Sequence, residues 1–399
     1  MVTPGGEGVS HASGEEGRGG MAGISGGPIS PKMRPQELSG LSMALGRAPP
    51  RQNIGVIGGG ALATALAMHC TRAGHRTLLA AREEEVVRGI NVGRENTLFL
   101  PGYRTPEGLV ATDDFERLLA ESDLLLLVIP VAFLEGVVQG IAASGMIRET
   151  HRFVCCTKGL NVDTLETPCQ IMERSMPDHI DRVSYLSGPT FPEDLARGKY
   201  IVTCVASRKM AEATWVQHAL STSCFRCYTT PDVIGLTVGG ALKNVLAIAC
   251  GICDGLDFGH SGRAALITRG LFECQKIALT MGAHQGTVYG LSGLGDLVLT
   301  STGDMSRHRE IGVRVGKGEA LPQIIASMRS MGEGVDTVIA ATRLAAKLNV
   351  ETPIIDSIFN VLHEGAVPED EVMKCMSRPL KEERADPGVI YAPELHSIG

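Results

Sequence analysis

At 399 residues, with 44% hydrophobic and 20% charged side chains, the chain has room for two domains of ordinary size and substantial cores. A net charge of −7 and only 4% aromatics argue against a nucleic-acid or anionic-membrane surface, and no uncharged apolar run approaches the ~20 residues that cross a bilayer. Eleven cysteines are too few in this length for a disulfide scaffold. The CxxC pairs Cys224/Cys227 and Cys250/Cys253 have zinc-like spacing, but the second lies in an apolar helix, so core packing is expected rather than a metal or redox site.

Residues 1–50 hold 12 glycines, six prolines and no Phe, Tyr or Trp, and are expected to be a disordered extension. A cytoplasmic protein is expected, or one in an organelle such as a plastid if the extension is a targeting peptide. Glu7, Glu15, Glu16 and Glu37 balance its four basic residues and speak against targeting. From 53 onward, strands at 53–58, 76–81, 123–130, 152–158, 183–188, 200–206 and 224–228 alternate with helical stretches, the first at 61–73. That alternation predicts a Rossmann-type, doubly wound, mostly parallel sheet, an α/β dinucleotide-binding domain over 51–230. After Pro231 the strand signals stop. Helices at 233–256, 263–281, 306–316, 335–348 and 353–363 predict an all-α C-terminal substrate domain over 231–380, followed by a tail at 381–399.

Four stretches carry candidate chemistry. GGGALA (58–63) follows a strand and opens a helix: Gly58 makes the tight turn, Gly60 admits a pyrophosphate, and amides at the helix start, including those of Ala61 and Leu62, hold it. The second strand ends in Ala80 and Ala81 with no acid, and Arg82 follows, so NAD and NADP both stay open. In CCTKG (155–159), Lys158 stands at a strand end, either facing a ligand crevice or solvated in a loop. SGPTFPEDLARG (187–198) predicts a Gly-Pro turn and a helix from about Thr190, suited to a small polar ligand or to plain capping. GLSGLGDLVLTSTGDMSRHREIG (290–312) places Ser306, Arg307 and His308 at a helix start, a good phosphate site, and sets Asp296 in an apolar stretch. GGALKNVLAIACGICDGL (239–256) puts Lys243 and Asn244 inside a helix built for burial, where an ammonium is a boundary residue or a working one. Small residues on Asn244's side, Gly251 and Gly255, are expected to leave room for a ligand.

Together with RAALITRG (263–270) and MGEGVDT (331–337), these stretches resemble, in order, the motifs of NAD(P)-dependent glycerol-3-phosphate dehydrogenase, over residues 53 to about 375. The resemblance implies exchange of a hydride between sn-glycerol 3-phosphate or dihydroxyacetone phosphate and NAD, with NADP the alternative, and glycerol-3-phosphate supply for glycerolipids. It implies that Lys243 is the catalytic acid/base and that Lys158, Asp296 and Thr300 surround the reacting carbon. Gly188, Thr190, Asn244, Ser306 and His308 would contact the substrate. Arg307 would reach both substrate phosphate and cofactor, and Lys158, Pro192, Met331 and Glu333 would lie at cofactor positions. A homodimer is implied, and no metal. This chain departs from the family pattern in having His308 for asparagine, Ala80 for an aromatic residue, Pro192 for alanine, and Ser261-Gly262-Arg263 for Asn-Ala-Arg. Two other readings remain: a β-hydroxyacid dehydrogenase of the same plan, and a dinucleotide-binding sensor without catalysis.

Overall fold

The computed structural model describes residues 51–328, 333–380 and 382–383. The expectations for 1–50, for Met331 and for nearly all of 381–399 fall outside the described residues. The first elements among the described residues are β1 (Asn53–Ile57), α1 (Ala61–Arg72) and β2 (Arg76–Ala80). Helix α1 is a run of Ala, Leu and Met that buries every residue from Ala63 to Cys70. It stops in a Schellman turn: Gly74 takes φ +90°, and the N–H groups of His75 and Gly74 donate to Cys70 O (3.1 Å) and Thr71 O (3.0 Å).

Three short strands follow that the sequence reading does not anticipate, β3 (Glu95–Asn96), β4 (Leu100–Arg104) and β5 (Val110–Thr112). The first two form a separate antiparallel pair, and β5 extends the main sheet beside β2. None is long or regular enough in its alternation to stand out from a loop. Next come β6 (Leu124–Leu127) and α2 (Val131–Ala143), so the strand expected over 123–130 ends at Leu127 and gives way at Pro130. Strands β7 (Arg152–Cys155) and β8 (Val183–Ser187), helix α3 (Pro192–Ala196), and strands β9 (Ile201–Ala206) and β10 (Phe225–Thr230) complete the layer. The eight strands run in the order β10-β9-β8-β7-β6-β1-β2-β5, parallel throughout except where β8 meets β9. At the centre, β6 is four fully buried leucines, as a strand covered on both faces should be.

Beyond β10 the regular elements among the described residues are helical. The central one is α4 (Val233–Gly255), packed against α5 (Gly259–Thr280), α6 (Asp296–Thr302), α7 (Arg307–Gly316), α8 (Glu333–Lys347) and α9 (Pro353–His363). Asp232 starts α4: one carboxylate oxygen accepts the Gly235 N–H (2.8 Å) and the other the His284 N–H (2.8 Å). By length and composition α4 would cross a bilayer, but most of it is buried inside the protein and Lys243 interrupts it.

The small residues on α4 have a different use from the one read in the sequence. Gly251 and Gly255 of α4 meet Gly312 and Gly316 of α7, backbone against backbone. A Cβ at Gly251 would lie 2.1 Å from Arg309 O, and one at Gly312 would lie 2.1 Å from Ile248 O. The space expected above α4 is filled by a helix, not held open for a ligand. All eleven cysteines are free and eight are buried. Burial pushes the Cys155 and Cys227 thiols up to about 12 and Cys250 to about 11, as befits packing residues.

Candidate active site

The glycine turn forms where β1 runs into α1. Gly58 has φ +131°, and a Cβ there would lie 2.2 Å from Val128 O, so only glycine fits. Its N–H donates to Ala80 O (2.9 Å), tying the turn to β2. Gly60 precedes α1 in extended backbone with no side-chain cap, and a Cβ there would meet nothing within 4 Å. The first-turn N–H groups of α1, those of Ala61 and Leu62 among them, have no acceptor within the helix. Asn96, which sequence reading missed, secures this turn: its Nδ2 donates to Gly59 O and to Thr64 Oγ1, both at 2.8 Å. A single asparagine in an irregular stretch has no signal of its own. Arg82 is exposed beyond β2, with its guanidinium 5.5 Å from the centre of the half-exposed Phe133 ring at the start of α2.

Lys158 lies three residues past β7, and Gly188 follows β8 directly, at the carboxyl ends of the strands where open α/β sheets hold ligands. Gly188 has φ +152°, and a Cβ there would lie 2.8 Å from Thr203 Oγ1. Lys158 Nζ donates to Asp296 Oδ2 (2.6 Å) and to Gly188 O (3.3 Å). Lys243, in mid-α4, donates to the other oxygen of the same carboxylate, Oδ1 (2.7 Å), and to Thr300 Oγ1 (2.9 Å). The Thr300 hydroxyl donates in turn to Asp296 O (2.6 Å), leaving a lone pair for the lysine. Asp296 is 1% exposed and Lys243 9%. A π-type turn over Leu291–Gly295 delivers Asp296 to this spot; within it Gly293 packs directly on Gly239 of α4. Two ammonium groups and one carboxylate leave a single net positive charge in a largely dry site. Such a site stabilises negative charge developing on a substrate oxygen.

The expected helix from Thr190 instead starts at Pro192, which occupies the first turn of the five-residue α3, where a missing N–H costs little. Thr190 lies partly buried in the turn ahead of it. At the start of α7, the Ser306 side chain accepts the Arg309 N–H (3.3 Å), so it caps the helix, and Arg307 is exposed in the first turn. Arg309 and Arg263 both bind Asp254 at the end of α4 (2.7 and 2.8 Å), a brace that sequence reading missed. Gly262 lies over Cys253: a Cβ there would be 3.1 Å from its sulfur. His308 differs from expectation. Its Nε2 accepts the Gly334 N–H (3.1 Å), and burial, followed by the charges of Lys243 and Arg307, pushes its pKa down to about 3. That nitrogen is engaged with the backbone and does not offer a proton to a phosphate. Asn244, 4% exposed, lies beside Gly334, one residue after Glu333 opens α8.

A mostly parallel sheet with a glycine turn at its first helix, joined to helices that bring Lys243 and Asp296 to Lys158 at the sheet's carboxyl edge, defines a dinucleotide-dependent dehydrogenase. Residues 53–213 match the N-terminal family model, and residues 232–373 the C-terminal model, of NAD-dependent glycerol-3-phosphate dehydrogenase. A glycerol-3-phosphate dehydrogenase of Geobacter sulfurreducens is 42% identical over 334 residues, 84% of this chain and 99% of that protein. One from Trichlorobacter lovleyi is 43% identical over 333 residues, 83% and 99% of the two chains. The crystal structure of glycerol-3-phosphate dehydrogenase from Coxiella burnetii matches with a TM-score of 0.78 and 31% identity, covering 83% of this chain and 100% of that one. The chain belongs to the NAD-dependent glycerol-3-phosphate dehydrogenase family.

Proposed function

We propose that the protein reversibly interconverts sn-glycerol 3-phosphate and dihydroxyacetone phosphate, with NAD or NADP as hydride partner. The observation that carries this reading is the buried Lys243–Asp296–Lys158 cluster at the carboxyl ends of β7 and β8. The residues present fit a dinucleotide: open space over Gly60, and first-turn amides at Ala61 and Leu62 that lack an acceptor within the helix, suit a pyrophosphate. Lys158, Pro192, Arg307 and the segment around Met331 and Glu333 complete that half of the site on the family pattern, and Arg82 would meet the adenosine end. The bound nicotinamide supplies or accepts the hydride.

Lys243 handles the proton. In the reducing direction its ammonium donates to the oxygen forming at C2; in the oxidising direction its amine takes the C2 hydroxyl proton. Asp296 and Thr300 fix Nζ so that this transfer meets one oriented nitrogen. Lys158 adds positive charge beside the developing oxyanion, with Gly188, Thr190 and Asn244 shaping the walls. Arg307 and the amides at the start of α7 bind the phosphate, and that remote binding energy holds C2 in place.

One spectrophotometric experiment tests the reading: NADH and NADPH oxidation, each with dihydroxyacetone phosphate and with a panel of β-keto acids. Oxidation dependent on dihydroxyacetone phosphate is expected with at least one cofactor. Its absence with both, or activity on the keto acids alone, overturns the reading. A cytoplasmic homodimer belongs to the same reading, and sedimentation of the purified chain checks the dimer.

A further inference from the structure

His308 bridges three elements. It follows Arg307 in the first turn of α7, which is locked onto the Lys243 helix by glycine contacts, and its Nε2 accepts the N–H of Gly334 at the start of α8. The fit is close: a Cβ at Gly334 would lie 2.3 Å from His308 Cδ2, 2.8 Å from Nε2 and 3.3 Å from Asn244 Cβ. The ring thus rests on bare backbone, and a side chain at Gly334 would have to displace it. A protonated ring would point an N–H at the Gly334 N–H, so this contact requires the neutral form, whose one donor is Nδ1. The charged groups acting on the ring are Lys243, Arg307 and Asp296; the two cations and burial oppose protonation, and the carboxylate favours it.

We propose that His308 is a positioning residue that fastens the start of α8 to α7 through the Gly334 amide, rather than a ligand of the substrate phosphate. It joins the segment that carries Arg307 to the one expected to meet the cofactor, and the cofactor half of this statement rests on the proposed function.

The test separates cofactor from phosphate. In His308→Ala the Kd for NADH should rise about tenfold, the weight of one hydrogen bond to the backbone. The ratio of KM values for dihydroxyacetone phosphate and unphosphorylated dihydroxyacetone should stay within about twofold. His308→Gln, which keeps an acceptor, should restore most of the NADH affinity. A rise in KM confined to the phosphorylated substrate, with the NADH Kd unchanged, overturns the proposal. Nitrogen-15 NMR of histidine-labelled wild-type protein decides the matter even if the alanine variant does not fold. The His308 ring should remain neutral, with the proton on Nδ1, from about pH 5 to 8; a titration near the usual histidine range overturns the proposal. This readout needs no cofactor, so a wild-type protein that bound no NADH would count against the proposed function and leave the ring assignment standing.

Discussion

Lys243 and Lys158 hold the same carboxylate from two sides, each bonded to one oxygen of Asp296. The carboxylate thus sets the separation between two cations that would otherwise repel one another in a low-dielectric interior. Asp296→Asn should therefore destabilise the fold by about 3–5 kcal/mol, since it leaves two poorly compensated charges where there had been a paired cluster. Adding Lys158→Met to that variant should return part of the loss. Chemical denaturation of the three proteins checks this, and a double variant less stable than Asp296→Asn would contradict it.

Lys243→Ala should lower kcat by roughly 10²–10⁴-fold, the usual weight of a positioned proton donor. NADH affinity, measured by fluorescence titration, should stay within a few-fold. Turnover close to wild type would remove Lys243 from the acid/base role.

Arg307→Ala should raise the KM for dihydroxyacetone phosphate by roughly 10- to 100-fold, as expected for losing a charge-assisted bond to phosphate. Unphosphorylated dihydroxyacetone should be affected far less. Equal losses on the two substrates would make the residue structural.

Gly251→Ala places a methyl group 2.1 Å from Arg309 O, a carbonyl with no rotamer to move. Destabilisation of about 1–3 kcal/mol is expected, together with a raised KM for the phosphorylated substrate as α7 is pushed away. Thermal melting and steady-state kinetics read the two effects. A variant that melts and turns over like wild type would mean that the two helices separate easily.

Glu273, on α5, accepts the N–H groups of Ile354 (2.8 Å) and Ile355 (3.1 Å) at the start of α9. Burial outweighs those bonds and raises its carboxyl to about 7. Between the ordinary carboxylate range and about 7 the unfolded chain is ionised there while the folded protein still holds its proton. Stability should accordingly fall as pH rises through that window and level off above it. Glu273→Gln should flatten this part of the profile, and parallel melting curves for the two proteins would rule Glu273 out as the cause.

The parts of the fold legible in the sequence are those written in consecutive residues. GGGALA after an apolar strand announces β1, the turn and α1, and the burial of Lys243 follows from the apolar residues around it. What could not be read depends on residues brought together from afar. Asp296 stands 53 positions from Lys243 and 138 from Lys158, so the family resemblance, not spacing, suggested their association. The acceptor role of His308 is invisible without Gly334, 26 positions on. Asn96 and strands β3 to β5 lie in a stretch with no periodicity to read. The glycines of α4 misled for a related reason: smallness announces close approach without saying whether a ligand or another helix does the approaching.

That close approach works as a calliper. Long side chains between α4 and α7 would let the helices slide by changing rotamer, but facing main chains have no such freedom. On the proposed reading, Lys243 and Arg307 therefore stand at a span set by peptide geometry. A substrate must match that span in the number of bonds between its reacting oxygen and its phosphate. Homologues one carbon longer or shorter should be turned away by misfit of length, without any residue dedicated to rejecting them.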